Sequence, residues 1–111
     1  MDSRTQQEQF QKKVNEAPNN KLFRFSLAKS LFDQNNFKAS IPHLKVCIRL
    51  QPDWMQAHIL LGKALLEIKN SEEAQAILEQ ALQLAIEQNH EDPKSELLGL
   101  LQLEEKNKPC P

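Results

Sequence analysis

The sequence predicts an all-α fold of about six helices, and three observations carry that expectation. The 111 residues include only two glycines and no tyrosine, too little turn and strand material for an all-β chain. Leu, Ala, Gln, Glu and Lys dominate the composition, and all are good helix formers. Breaker residues cut the chain into helix-length pieces, and a single constant offset in numbering relates two pairs of those pieces. The length fits a single domain that buries roughly 65% of the surface its unfolded chain exposes. A content of 40% hydrophobic and 26% charged residues argues against disorder and against a membrane protein.

The leading helix, expected from about residue 4 to 17, has a narrow apolar stripe of Phe10, Val14 and Ala17, spaced for one helical face. Ala17-Pro18-Asn19-Asn20 ends it. A stronger helix runs from about Lys21 to Gln34 and stops at Asn35-Asn36. The third spans Phe37 to Leu50, ending ahead of Pro52 because the residue before proline disfavours the helical basin. Pro42 lies early enough in it to cost at most one internal hydrogen bond. Asp53 is expected to N-cap the fourth helix, over 54–69, with Gln56 completing a capping box. Asn70, with Glu73 reciprocal, opens a fifth helix that continues to about Gln88. Asp92-Pro93 reads as a cap followed by proline at the first helical position of a sixth, which runs to about Lys106. The tail from Asn107 to Pro111 is expected to fray.

The constant offset is 34, and it links Pro18 with Pro52, Leu27 with Leu61, Ala28 with Gly62, Lys29 with Lys63, and Leu31 with Leu65. In the following helices it links Ser40 with Ala74, Leu44 with Leu78, Cys47 with Ala81, and Leu50 with Leu84. Small residues are needed where two helices of a hairpin approach closely, so Ala28 is expected to face Ser40, and Gly62 to face Ala74. Leu97-Leu98-Gly99 repeats Leu60-Leu61-Gly62 at an offset of 37, a three-residue lengthening at the loop around Asn89-His90-Glu91.

These residues resemble the tetratricopeptide repeat family, whose pattern is W-x2-L-G-x2-Y, then A-x3-F, then a small residue and a proline. The first unit reads Arg24-x2-Leu27-Ala28-x2-Leu31, then Ser40-x3-Leu44-x2-Cys47 and Pro52; the second reads His58-x2-Leu61-Gly62-x2-Leu65, then Ala74-x3-Leu78-x2-Ala81. Arg24 and His58 replace the family's aromatic, Leu31 and Leu65 replace its tyrosine, and Ile86 stands where a third proline would fall. The resemblance, to short stand-alone bacterial members of the family, implies a right-handed α–α superhelix of antiparallel hairpins. It divides the chain into a half-unit helix (1–17), repeats over 18–52 and 53–88, a capping helix (92–106) and a tail (107–111). Two whole units are fewer than such folds usually need, so the flanking helices are expected to act as caps. Leu97, Leu98 and Leu101 would then cover the open end, with Glu96, Gln102, Glu104 and Glu105 facing water.

At 100° per residue, Arg24, Leu27, Ala28 and Leu31 face the partner helix, while Leu22, Phe25, Lys29 and Phe32 centre roughly 130° away by the same geometry. The matching set in the second unit is Gln56, Ile59, Lys63 and Leu66. In proteins resembling this family that second face lines a concave groove for a peptide or partner helix. Phe25 and Phe32 offer apolar area, and Lys29 and Lys63 suit acidic groups on the partner. A plainer reading packs Phe32 and Leu66 between adjacent first helices and leaves the two lysines solvated. The family's carboxylate clamp for chaperone C-termini needs Lys and Asn where this chain has Phe25 and Lys29, a departure from that pattern. Trp54 is expected to pack across the junction between units.

Other function classes find little support. Net charge is −1, so no global field draws the chain to nucleic acid, although residues 1–50 carry +5 and residues 51–111 carry −6. That polarity supports a second hypothesis, head-to-tail self-assembly, against the plainer one of a solvated surface. His43, His58 and His90 are dispersed and no metal-ligand spacing occurs. Cys47 and Cys110 lie 63 positions apart, neither a disulfide framework nor a metal motif. Cys47 and His58 read as packing residues. No phosphate-binding or nucleophile motif is present, nor a secretory signal or a membrane-length apolar run. The sequence therefore predicts a cytoplasmic, non-enzymatic protein without cofactor. Its expected partner is another protein, not nucleic acid or membrane, and its expected state a monomer or weak homo-oligomer.

Overall fold

The computed structural model describes residues 3–107, with side chains over 5–102. Expectations for Glu104, Glu105, Cys110 and the end of the tail fall outside the described side chains. Six helices follow one another: α1 (Ser3–Glu16), α2 (Lys21–Asp33), α3 (Phe37–Leu50), α4 (Met55–Glu67), α5 (Ser71–Glu87) and α6 (Glu91–Asn107). Each packs on the next, and α2 also touches α4. The result is a right-handed superhelix of antiparallel hairpins, 46 × 29 × 23 Å in extent.

The helix ends follow from local chemistry. Asn20 caps α2 by accepting from the Leu22 and Phe23 amides through its side chain at 3.1 Å. Asn70 caps α5, accepting from the Glu73 amide at 3.4 Å, while its own amide donates to the Glu73 carboxylate at 3.0 Å. The reciprocal bond thus reaches the cap's side chain and not its backbone. Helices α2, α4 and α5 close with the same device. Asn35, Lys69 and Asn89 adopt φ of 65°, 67° and 57°. The next residue's amide then reaches back to Leu31, Leu65 and Ala85 at 2.8–2.9 Å, a Schellman closure that satisfies otherwise orphaned carbonyls.

Two expected starts are corrected. The fourth helix is capped by Trp54, without a side-chain cap bond, and not by an Asp53–Gln56 box. The Trp54 amide donates to the Gln51 carbonyl at 3.1 Å and its ring lies 4.7 Å from that of Phe25, so packing of a large aromatic sets the entry of the chain. This contact is the expected packing across the junction. The sixth helix starts at Glu91, two residues ahead of Pro93. Asp92 therefore sits in its first turn, and Pro93 still precedes the first internal bond, Lys94 to the His90 carbonyl. The three-residue lengthening expected in the loop lies in α5 instead, 17 residues long against 14 for α3.

The core forms three linked clusters along the long axis. Val14, Leu27 and Leu31 join α1 to α2 with Phe10 and Phe23 at their edge. Ala28, Ile41, Leu44, Leu61, Leu65 and Ala74 fill the middle. Met55, Ile59, Leu78, Ala81, Ala85 and Leu97 bind α4, α5 and α6. The nearest neighbour of Gly62 is Leu78 and not Ala74: a Cβ there would lie 2.7 Å from Leu78 Cγ and closer still to Cδ2. Leu97 is fully buried and Leu101 packs beside it as expected, whereas Leu98 is 42% exposed and does not cover the end; Leu100 packs there in its place.

The residues that replace the family's aromatic make polar links. His58 is buried, and its Nδ1 lies 2.9 Å from the Trp54 carbonyl, which requires that nitrogen to carry the proton. Arg24 donates to the Pro18 carbonyl at 3.0 Å and lies 3.1 Å from His43 Nδ1, tying α2 to α3. Since arginine is only a donor, His43 must accept and so stay neutral. Burial first, and the Arg24 charge second, hold His43 below its ordinary value of 6.5. The unfolded chain therefore takes up this proton first, and stability falls as pH drops through 6.5. Urea midpoints measured from neutral to mildly acid pH should show that loss, and His43→Gln should flatten it.

Candidate functional site

Five of the eight residues expected in a groove come together. Phe25 and Lys29 of α2, and Gln56, Ile59 and Lys63 of α4, line one concavity of about 190 Å³ with Leu60. The two helices present the same face because the constant offset returns each position to the same angle, so Lys63 follows Lys29 and Ile59 follows Phe25. Phe25 is half-buried against Trp54, and Ile59 is 5% exposed, giving the concavity an apolar floor below two cations and an amide.

The other three lie elsewhere. Leu22 is 62% exposed near the start of α2 and does not line the concavity. Phe32 packs edge-on against Phe37 of α3 at 5.0 Å. Leu66 is half-buried between the middle and C-terminal clusters. Both are packed, as in the plainer reading, but Phe32 meets Phe37 of α3, a second helix, and not only a neighbouring first helix.

The two lysines differ. Lys63 Nζ pairs with Glu96 of α6 at 2.5 Å, so Glu96 bridges to α4 and does not simply face water. Both partners are partly exposed, and such pairs contribute little to stability. Lys29 is exposed and has no salt-bridge partner among the described residues. It also borders a second concavity of about 210 Å³, lined by Gln6 and Phe10 of α1 and by Ser26, Ser30 and Asp33 of α2. Sequence reasoning missed this α1 wall and Leu60. The signal for the wall was present, since Gln6 and Phe10 stand one repeat before Ser40 and Leu44.

Groups able to do chemistry are few. Among the described residues no three His, Cys, Asp or Glu side chains are grouped to hold a metal ion, and no helix is long and apolar enough to cross a membrane. The Cys47 thiol is buried and lies 3.7 Å from the Lys21 carbonyl. Burial pushes its pKa up to about 11, which leaves it protonated and unreactive at neutral pH.

Repeated helical hairpins, stacked with one face left concave, define a class of α-solenoid proteins. A family model described as tetratricopeptide repeat matches residues 31–103, and the chain belongs to the tetratricopeptide repeat family. Among solved structures it is similar to the type III secretion translocator chaperone SycD of Yersinia enterocolitica (TM-score 0.84, 13% identity, covering 89% of this chain and 69% of that one). It is also similar to the TPR2B domain of yeast Sti1, solved as a complex with pHsp70 (0.77, 18%, 96% and 95%). A third is the first TPR of Spaghetti (RPAP3) bound to the HSP90 peptide SRMEEVD (0.74, 22%, 87% and 75%). At these identities the likeness is one of fold. No curated protein sequence matches the chain.

Proposed function

We propose that the chain is a non-enzymatic interaction module that holds a peptide or helix of another protein in the α2–α4 concavity. The observation that carries this reading is the gathering of Phe25, Lys29, Gln56, Ile59 and Lys63 around one hollow. Its floor offers desolvated apolar area and its rim offers charge, the combination that concentrates binding energy. Two fold neighbours were solved with Hsp70- and Hsp90-derived partners, which supports a peptide ligand here. Phe25 in place of a clamp lysine points to a ligand that pairs an apolar side chain with one acidic group at Lys29.

On this reading the chain is one domain, with repeats over 18–52 and 53–88 flanked by a leading half-unit (1–17) and a cap (92–106). It binds protein, not nucleic acid or membrane, and works in the cytoplasm, in keeping with a free, buried thiol. Lys29→Glu tests it, since an exposed surface change leaves stability within about 0.5 kcal/mol. A charge-assisted contact is worth about 1.5–3 kcal/mol, so capture of partners from lysate should fall about tenfold or more with the helical spectrum unchanged. Lys29→Glu combined with Lys63→Glu should abolish capture. Undiminished recovery with both would remove the groove assignment.

A further inference from the structure

The second unit leaves open a place that the first unit occupies with an arginine. Pro52, His58, Gln80, Gln83, Leu84 and Glu87 line a hollow of about 230 Å³ between the start of α4 and the C-terminal turns of α5. One repeat earlier the same positions hold Pro18, Arg24, Val46, Arg49, Leu50 and Asp53. There Arg24 donates from Nε to the Pro18 carbonyl at 3.0 Å, and its Nη1 lies 3.1 Å from His43 Nδ1. Its guanidinium thus ties the proline turn to the second helix of the unit. His58 is shorter and turns to the start of its own helix, donating from Nδ1 to the Trp54 carbonyl at 2.9 Å.

The walls of this hollow are rich in acceptors and poor in cations. With its proton on Nδ1, the His58 ring keeps a lone pair on Nε2, which has no hydrogen-bond partner among the described residues. The residue is only 3% exposed. Among the described residues no buried side-chain nitrogen or oxygen lacks a partner, so Nε2 reaches solvent, and it does so where His58 borders the hollow. Between the two units the acid is kept, with Glu87 for Asp53, while both cations are lost, with His58 for Arg24 and Gln83 for Arg49. α3 carries Arg49 in its last turn, but α5 has no basic residue in its own, so the negative end of that helix dipole is left uncompensated. Glu87 Oε1 accepts from the Gln83 side-chain amide at 3.2 Å, which holds the carboxylate in place and leaves Oε2 to accept from outside. Gln88 donates to the Asp53 carbonyl at 3.2 Å, fixing the end of α5 to the turn that carries Pro52.

We propose that this hollow binds an arginine side chain presented by another protein. The guanidinium donates to His58 Nε2 and to the Glu87 carboxylate, and its methylenes lie on Pro52 and Leu84. A planar fork of five donors serves several fixed acceptors at once, as an ammonium does not. Pro52, Gln80, Gln83 and Glu87 are exposed, so the hollow admits a side chain reaching in from a surface and does not enclose a free small molecule. It shares no residue with the α2–α4 concavity, and the inference stands or falls without the groove.

A titration of the full chain with N-acetyl-arginine methylamide, followed by NMR, tests it. Signals of Gln83, Leu84, Glu87 and the His58 ring should shift and saturate, with weak affinity because one side chain makes few contacts. N-acetyl-lysine methylamide, which forgoes a hydrogen bond, should bind about fivefold less well. Glu87→Gln is a surface change that keeps the fold and should weaken the arginine probe by about three- to fivefold. His58→Trp puts the family's aromatic in the hollow and should remove saturable binding; if that variant fails to fold, Glu87→Gln decides. The proposal is overturned by an absence of shifts at these residues, by equal binding of the lysine probe, by an unchanged affinity in Glu87→Gln, or by binding that survives His58→Trp. Free arginine outcompeting the capped probe also overturns it, because the site would then read the amino-acid head of a small molecule.

Discussion

Deleting residues 91–111 is expected to leave a chain that no longer unfolds cooperatively. Leu97, Leu100 and Leu101 lie on α6 against Met55, Ile59, Leu78, Ala81 and Ala85, so the deletion exposes both sides of that contact. Fully burying one leucine stabilises by about 1.5–3 kcal/mol, and with Leu97 wholly and the other two partly buried the loss is roughly 5 kcal/mol. That is comparable with the entire stability of a small domain, about 5–15 kcal/mol. The Lys63–Glu96 pair goes as well, but it is exposed and adds little. Because each hairpin in a stacked fold depends on its neighbours, the damage should spread to α5 and then α4. A calorimetric or circular-dichroism melt checks this: the truncated chain should show a broad, low transition. Leu97→Ala in the full chain should lose about 2–5 kcal/mol. A truncated chain melting at the original temperature would show that α6 is not a cap.

What the sequence made legible follows from what periodicity encodes. Residues that recur at the constant offset, and apolar residues spaced for one helical face, located all six helices and returned the limits of α3, Phe37–Leu50. The same offset identified Phe25, Lys29, Gln56, Ile59 and Lys63 as neighbours, because equal angles on successive first helices require it. Contacts between residues of no shared period were not legible. The cap of α4 is Trp54 and not Asp53, with the Trp54 ring against Phe25; the sequence places Trp54 at a junction but Phe25 in the groove. The Lys63–Glu96 pair depends on where α6 comes to rest on α5, and the three residues expected to lengthen the loop extend α5 instead, 17 residues against 14 in α3. Leu98 read as a leucine covering the end, but it stands 42% exposed. Lys69 carries no residue-type signal for positive φ, yet it stands one repeat after Asn35 and shares its conformation. Its signal lay in the repeat.

Substituting alanine at the two glycines should change stability in opposite directions, and the sign at Gly62 tests whether hairpin spacing is set there. In a helix, replacing glycine by alanine gains about 1 kcal/mol from propensity alone. At Gly99 nothing opposes that gain, since the added methyl meets open space, and the expected result is a stabilisation of about 0.5–1 kcal/mol. At Gly62 the methyl would lie 2.7 Å from Leu78 Cγ, and Leu78 is itself fully buried in an interior that packs closely. Either α4 and α5 separate or Leu78 leaves its rotamer, and overpacking of this kind costs about 1–3 kcal/mol. The net change at Gly62 is therefore a loss, read as a lower urea midpoint, against a higher one for Gly99→Ala. The partner can be confirmed with a double-mutant cycle. Leu78→Ala alone opens a cavity and loses about 2–5 kcal/mol, whereas adding Gly62→Ala to it places a methyl where the leucine stood. The second substitution should then cost nothing or restore part of the loss, a coupling expected only of residues in contact. Stabilisation by Gly62→Ala in the otherwise unmodified chain would mean that the hairpin tolerates a wider spacing, and that close approach at Gly62 is not what holds α5 in place.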